Sequence, residues 1–400
     1  MNRSLLVIIL VVALDAIGIG LIFPILPSLL EELTGHGEVS TIYGVILAAY
    51  AAMQFLFAPI LGLLSDRIGR RPVLIVSLAG AAIDYLIMAF TPALWVLVVG
   101  RIIAGITSAN MSVAGAYIAD VTTEKDRARS FSWMSAAFGV GFIVGPILGG
   151  LLSSYFFLRA PFLAAAVLNA LNLILVFTVV KESRVPSREK VQFSTLNPFA
   201  PLKWAFSFSA LVPLLLMFLI FAINGDIPGT IAVLYGQANF HFDSVAIGLW
   251  LAMFGLCHAL AQALITGPFS KWLGDRGTLV FGVVADVLAF LGFGFATQGW
   301  MAFALSPLSA LGGVGLPALQ SLMSKQVSEA RQGELQGVLA SAQSLTSIAG
   351  PLIGTTVFFW TQPYFVGAIW LVAAALYLLA IPIFVWLFRR PAGEPVPASG

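Results

Sequence analysis

Apolar stretches of about 20 residues recur from one end of the chain to the other, and they limit its fold more than any other feature. A stretch of that length, wound as an α-helix, crosses a ~30 Å hydrocarbon layer. Twelve such spans can be placed, at 5–29, 42–63, 72–91, 94–117, 131–153, 160–180, 207–232, 244–268, 278–297, 300–323, 333–358 and 364–388. Mean hydropathy is +0.99, and only 10% of residues are charged. Little is left for a soluble domain. The sequence therefore predicts an all-α membrane protein of twelve transmembrane helices lying in the lipid bilayer. The first span follows a single Arg3, lacks a small-residue cleavage site and carries Asp15, Pro24 and Pro27, so it reads as a retained helix rather than a signal peptide. The one cysteine, Cys257, is mid-span and excludes an intrachain disulfide.

Basic residues orient the spans. With both termini in the cytoplasm, eighteen of the 20 Lys and Arg residues fall on the cytoplasmic side, in groups such as Arg67–Arg70–Arg71 and Lys125–Arg127–Arg129. Arg159 alone falls in an outer loop, and Arg101 lies inside the fourth span. The small net charge of +2 is thus a topology signal and gives no argument for a nucleic-acid partner.

The longest polar connection, 181–206, divides six spans from six, giving an N-terminal half (1–180), a cytoplasmic central loop (181–206) and a C-terminal half (207–400). The halves resemble one another at an offset of 205 positions. GLLSDRIGRR at 62–71 aligns with GPFSKWLGDR at 267–276, Gly145-Pro146 with Gly350-Pro351, and Asp120 with Lys325. Three separate places at one offset indicate a duplicated, pseudo-symmetric six-helix unit, with a cavity expected between the halves at mid-membrane.

The charged knot at 62–71 reads as a tight cytoplasmic turn between the second and third spans. Gly62 would allow close helix approach, and Gly69 a backbone turn that a Cβ hinders. Asp66, at the slab edge, can accept hydrogen bonds from Arg. Asp120 is a candidate partner for Arg70, forming a latch that releases when the protein opens inward. Ser65, Arg67 and Arg71 belong to the same stretch, and Arg71 reads equally well as a topology anchor. In the fifth span, Gly141, Gly145 and Gly149 recur every four residues beside Pro146, a small-residue stripe for close packing. Beyond packing, it is expected to serve as a pivot against the other half.

Charged residues inside a bilayer are costly and are functional candidates by default. Asp15 lies ten residues into its span, ~15 Å deep. Asp84, Asp286, Arg101, His258 and Gln54 are also well inside, and Asp226 lies nearer the outer end of the seventh span. Desolvation favours the neutral form of a buried carboxyl, so such an acid can take up and release a proton, whereas an Asp beside Arg101 would stay charged. His258 also reads as a polar packing residue, and Asp15 as a structural acid. No phosphate-binding loop indicates ATP drive. The three histidines and one cysteine make no metal cluster. No enzyme constellation and no resident cofactor are expected.

The pattern Gly62-x-x-x-Asp66-Arg67-x-Gly69-Arg70-Arg71 resembles the signature loop of the major facilitator superfamily. Gly141-x-x-x-Gly145-Pro146-x-x-Gly149-Gly150 resembles the fifth-helix motif of its drug/proton antiporters. LDAIGIGLIFPILPSLL (14–30), AGAAIDYLIMA (79–89), GRIIAGIT (100–107), AGAYIAD (114–120) and FGLCHALAQALITGP (254–268) are similar to the tetracycline/proton antiporters of the Gram-negative type. The resemblance implies a major facilitator fold in the bacterial inner membrane. It also implies proton-driven efflux of a drug, carried as a divalent-metal chelate with Mg as part of the cargo, and it assigns proton coupling to Asp15, Asp84, His258 and Asp286. The chain departs from the family's pattern at Ser108–Ser112, at Asn224–Ala232, where Asp226 stands for an expected Gln, and at Ala342-Gln343. Gln54, Asn110, Asn224, Asp226 and Gln343 are the candidate cargo contacts. A different amphipathic drug or metabolite, or proton-coupled uptake, stays open at this point.

Overall fold

The computed structural model describes residues 3–35, 39–184, 197, 199–206, 208, 211–328 and 331–389. Among the described residues every regular element is helical. In chain order these are α1 (Arg3–Ile22), α2 (Leu26–Thr34), α3 (Val39–Ile68), α4 (Arg70–Phe90), α5 (Leu94–Thr107), α6 (Asn110–Val121), α7 (Glu124–Tyr155) and α8 (Ala160–Val179). They continue with α9 (Ala200–Phe206), α10 (Leu211–Phe240), α11 (Ser244–Leu260), α12 (Thr266–Phe295), α13 (Gly299–Gly312), α14 (Gly315–Ser324), α15 (Gln332–Thr361), α16 (Ala368–Leu376) and α17 (Ile381–Arg389).

Ten stretches are long and apolar enough to cross a membrane. One of them, Ser244–Phe295, is 52 residues long and holds two spans, because Gly274 interrupts the helix with φ 68° and ψ 171°. The 30-residue α15 completes the set, with amide and hydroxyl side chains along its length. Twelve spans result, as the apolar pattern predicts. The expected continuous helices at 5–29 and 94–117 are corrected to broken ones. The first turns at Phe23–Ile25 ahead of α2, and the fourth is interrupted between Thr107 and Asn110.

The chain divides into two compact units. The first takes Met1–Asn197 with Asp243–Ala252, and the second takes Pro198–Phe242 with Met253–Gly400. The start of the eighth span thus groups with the first unit. The cause is close backbone packing: Gly248 lies on the Pro146 carbonyl and Gly150 on the Ser244 carbonyl, with no room for a Cβ at either. Of the connection at 181–206, residues 185–196 lie outside the described residues, and α9 forms its end.

Within the first unit α1 packs between α7 and α8. The stripe Gly141, Gly145, Gly149 carries that contact. A Cβ at these positions would strike Ala13 and Ala16, Ile17 and Gly20, and Leu21 respectively. The expected pivot against the other half is therefore a seam with α1 of the same unit. The expectation for Gly62 is also corrected, since a Cβ there meets nothing within 4 Å. The knot itself is almost wholly helical, with the turn confined to Gly69 at φ 107°, a conformation that favours glycine. In the second unit, α10 packs on α15, and α12 on α13, α14 and α16. Trp370 anchors the latter group against Phe293 (ring centroids 4.8 Å) and Tyr235 (5.4 Å).

These contacts separate two kinds of glycine. Gly145→Val should force α1 away from α7 and lower the yield and melting temperature of the purified protein sharply. Gly62→Ala, in open space within a helix, should leave the melting temperature unchanged or slightly raised, by up to about 1 kcal/mol in stability. Differential scanning fluorimetry of both variants in detergent checks this.

Candidate functional site

The irregularities of the two units match one another at the offset read from the sequence. The fourth span breaks between Thr107 and Asn110, and the tenth between Gly312 and Gly315, each 205 positions later. Gly69 and Gly274, both with positive φ, differ by the same 205. Discontinuous helices expose backbone groups and commonly hold functional sites in transporters. Here Asp15 meets the break of the first unit through Asn110, and Asp286 and His258 lie at that of the second.

In the first unit Asp84 and Arg101 form an ion pair, with Arg101 Nε donating to Asp84 Oδ1 at 3.2 Å. Both are buried, and Gly100 leaves space for the carboxylate. The Arg101 guanidinium also lies over the Tyr50 ring, 5.3 Å from its centroid. Asp84 is thus the acid beside Arg101. Asp15 has no basic partner among the described residues. It is buried and accepts a hydrogen bond from Asn110 Nδ2 at 3.1 Å, where α6 begins at the break. Ser108, inside the break, bonds the Tyr50 hydroxyl at 2.9 Å and receives Gln54 Nε2 at 3.0 Å. Two of the residues that depart from the family's run therefore make contacts inside the protein, and Asn110 serves an acid here. Gln54 stays exposed.

In the second unit Asp286 and His258 meet the break from two sides. Asp286 packs on Gly312 and His258 on Gly313, so neither glycine has room for a side chain. Asp286 accepts a hydrogen bond from the Tyr377 hydroxyl at 2.7 Å and forms no ion pair among the described residues. The His258 ring lies 5.8 Å from that of Phe254, with Nδ1 buried and unpartnered. Gln262, in the π-helical turn Ala261–Ile265, donates to the Gly313 carbonyl at 2.9 Å and satisfies a group near the break. Asn224 is buried beside the Tyr377 hydroxyl without closing a hydrogen bond of normal geometry. Asp226 lies in the α10–α15 seam against Gly350, with Ser347 Oγ at 3.5 Å, and Gln343 sits on α15 with Thr346 at 3.5 Å.

At the other end of the first unit, the knot closes around Arg70. It pairs with Asp66 at 2.7 Å, reaches Asp120 at 3.1 Å and donates to Ser65 Oγ at 2.5 Å. The expected Arg70–Asp120 pair is present, and Arg67 lies exposed beside it. Ser65 in turn donates to the Gly62 carbonyl at 2.7 Å. The second unit has the same pair with its charges reversed. Asp275, 205 positions after Arg70, meets Lys325, 205 after Asp120, at 2.6 Å. Ser270 and Ser321 complete the coordination of Asp275 at 2.6 and 2.7 Å. Sequence reasoning missed Asp275, although the offset placed it opposite Arg70. Tyr377 and Gln262 gave no signal of their own.

A helical membrane protein of two repeated units, with acids at mid-span breaks and ion-pair latches at the ends of its helices, is of the transporter class. The family model "Major Facilitator Superfamily" matches residues 8–245 and 214–400, and the chain belongs to that family. It is 50% identical over 381 residues to the Escherichia coli "Tetracycline resistance protein, class C", covering 95% of this chain and 96% of that protein. It is 38% identical to the class B protein of Escherichia coli, over 98% of each chain. Among solved structures, an inward-facing bacterial homolog of the human lysosomal transporter Spinster superposes with a TM-score of 0.79 at 14% identity, covering 98% of each chain.

The Asp84–Arg101 pair makes a prediction about folding. Arg101→Ala strands a buried carboxylate, at a cost of about 3–5 kcal/mol, and should deplete the protein from the membrane. Removing both charges, with Asp84→Asn and Arg101→Gln together, should restore abundance. Immunoblots of membrane fractions, with melting curves of the purified variants, decide the matter.

Proposed function

We propose that the chain exports a tetracycline, as its divalent-metal chelate, in exchange for protons by alternating access. It does so in the bacterial inner membrane with both termini in the cytoplasm. The near full-length identity to tetracycline resistance proteins supports the cargo. The use of Ser108 and Asn110 as internal partners supports it further, because two departures from the family's pattern are thereby accounted for without a different cargo. The distribution of Lys and Arg supports the orientation.

The observation that carries the proton half of this reading is Asp286. It is held by a tyrosine hydroxyl with no cation beside it among the described residues, against a glycine at a helix break. A neutral acid suits such a place, and an ionised one requires that water reach it. Movement of the break can therefore gate the proton. Asp15, on its Asn110 hydrogen bond, is the corresponding acid of the first unit. Asp84 is committed to Arg101 and acts by holding that pair, and His258 borders the same break as Asp286. One charge moving inward through ~100 mV supplies about 2.3 kcal/mol towards export. Gln54, Asn224, Asp226 and Gln343 remain the proposed polar contacts for the cargo, with any Mg arriving as part of it and none resident.

Asp286→Asn keeps the hydrogen-bonding shape and removes the titrating group. In inverted vesicles it should abolish drug-dependent quenching of a pH dye while leaving exchange of radiolabelled tetracycline. Full proton flux from this variant would remove Asp286 from the pathway. Chelating divalent cations in the wild-type assay should remove the drug-dependent signal as well.

A further inference from the structure

The knot has a component contributed from 112 residues further on. Helix α4 starts at Arg70 behind Gly69, so its first backbone N–H groups have no local side chain to receive them. Glu182, just past the end of α8, supplies the acceptor. Its Oε1 receives the N–H of Arg70 at 2.8 Å, and its Oε2 that of Arg71 at 3.2 Å. A carboxylate here also suits the positive end of the helix. The exchange is mutual, since the Arg71 guanidinium donates to the Phe177 carbonyl in the last turn of α8 and lies 5.5 Å from the Phe177 ring centroid. Arg71 is therefore more than a topology anchor.

The neighbours of Glu182 are engaged in the same way. Tyr117 of α6 donates to the Lys181 carbonyl at 2.8 Å. Ser183 donates to Asp120 at 3.2 Å, and Arg184 pairs with Asp66 at 3.1 Å. Four consecutive residues at the start of the central connection thus tie together the ends of α3, α4 and α6. Gly69 fits this arrangement too. A Cβ there would meet the Glu182 carboxylate, so glycine suits the backbone turn and also leaves the carboxylate its place.

We infer that residues 181–184 form a strap belonging to the conformational switch, with Glu182 as the positioning residue that sets the first turn of α4, and so Arg70, for its pairs with Asp66 and Asp120. The function rests on the transporter reading above, while the contact itself does not. Glu182 touches neither cargo nor proton-binding acid. Its loss should change how fast the protein switches and leave cargo affinity alone.

Two measurements on full-length Glu182→Gln, Glu182→Ala and Glu182→Asp test this. Deuterium uptake by the peptide that opens α4, in purified protein without drug, reports the cap. Vmax and KM for tetracycline in inverted vesicles, normalised to protein present, report the switch. The Gln and Ala variants should exchange faster at the start of α4 and lose about tenfold in Vmax, equivalent to about 1.4 kcal/mol, with KM unchanged. The Asp variant should recover most of both. Wild-type exchange in the Gln and Ala variants would overturn the inference. So would faster exchange at undiminished Vmax, because the cap would then be structural only, or a rise in KM that accounts for the loss. If the wild-type protein moves no tetracycline, the cargo assignment fails. The exchange measurement still decides the contact, and the kinetic one is repeated with the compound that is moved.

Discussion

A charge in hydrocarbon has to be paired, neutralised or surrounded by hydrogen-bond donors, and the deep acids of this protein divide among those solutions. Asp84 is paired with Arg101. Asp15 has one amide donor, and Asp286 one hydroxyl donor. The division follows from what lies beside each carboxyl: a guanidinium, an amide or a phenol hydroxyl. A buried ion pair is strongly destabilised when one partner is lost, so Asp84 and Arg101 depend on each other. Asp15 and Asp286 have no such counter-charge among the described residues and rest on single neutral donors. The arrangement also explains the breaks in the fourth and tenth spans. A continuous helix uses its backbone groups internally, while a broken one leaves room, at Gly312 and Gly313, for an acid and an imidazole to lie against the chain.

Close helix packing fixes the helices around these breaks. In the first unit the Gly141–Gly145–Gly149 stripe brings α7 onto the backbone of α1, and Asn172 ties α8 to the Val11 carbonyl at 3.1 Å. Backbones this near allow little sliding, because any new register meets a Cβ. The second unit has Gly350 on Asp226 at the corresponding place. The first unit has Leu21 there, 205 positions earlier and almost fully buried, so the two seams are not equally apolar.

Much of the fold was legible in the sequence because hydrocarbon imposes a coarse rule. Apolar length gave the spans, basic residues gave the sides, and the knot stood out as charge between apolar runs. The Arg70–Asp120 pair was legible because Asp120 ends the fourth span on the same side as the knot. What the sequence hid was local backbone geometry and partner identity. The break at Ser108–Ala109 contains neither glycine nor proline, so apolar length reads straight through it. The glycine stripe announces close approach without saying to which helix, and the answer was α1 of the same unit. Asn110 looked like a lining residue by position, yet its amide turns to Asp15. Tyr377, 91 positions from Asp286, could be found only once the fold brought them together.

The charge-reversed latches show what duplication has kept. Arg70 with Asp120 and Asp275 with Lys325 occupy equivalent positions, each accompanied by a serine, Ser65 or Ser270, at the same offset. The signs have been exchanged between helices while the pairing survives. If the latch served to attract a charged ligand of one sign, the reversed copy would repel it. A pair that survives with either sign is one whose contact, and not the sign of its charge, joins one helix end to another. The first unit adds the strap at Lys181–Arg184, which brings a further acid and base to the same helix ends. Both units thus join the same helix ends by an ion pair with one partner at least partly exposed to solvent, which limits what each pair alone contributes to stability.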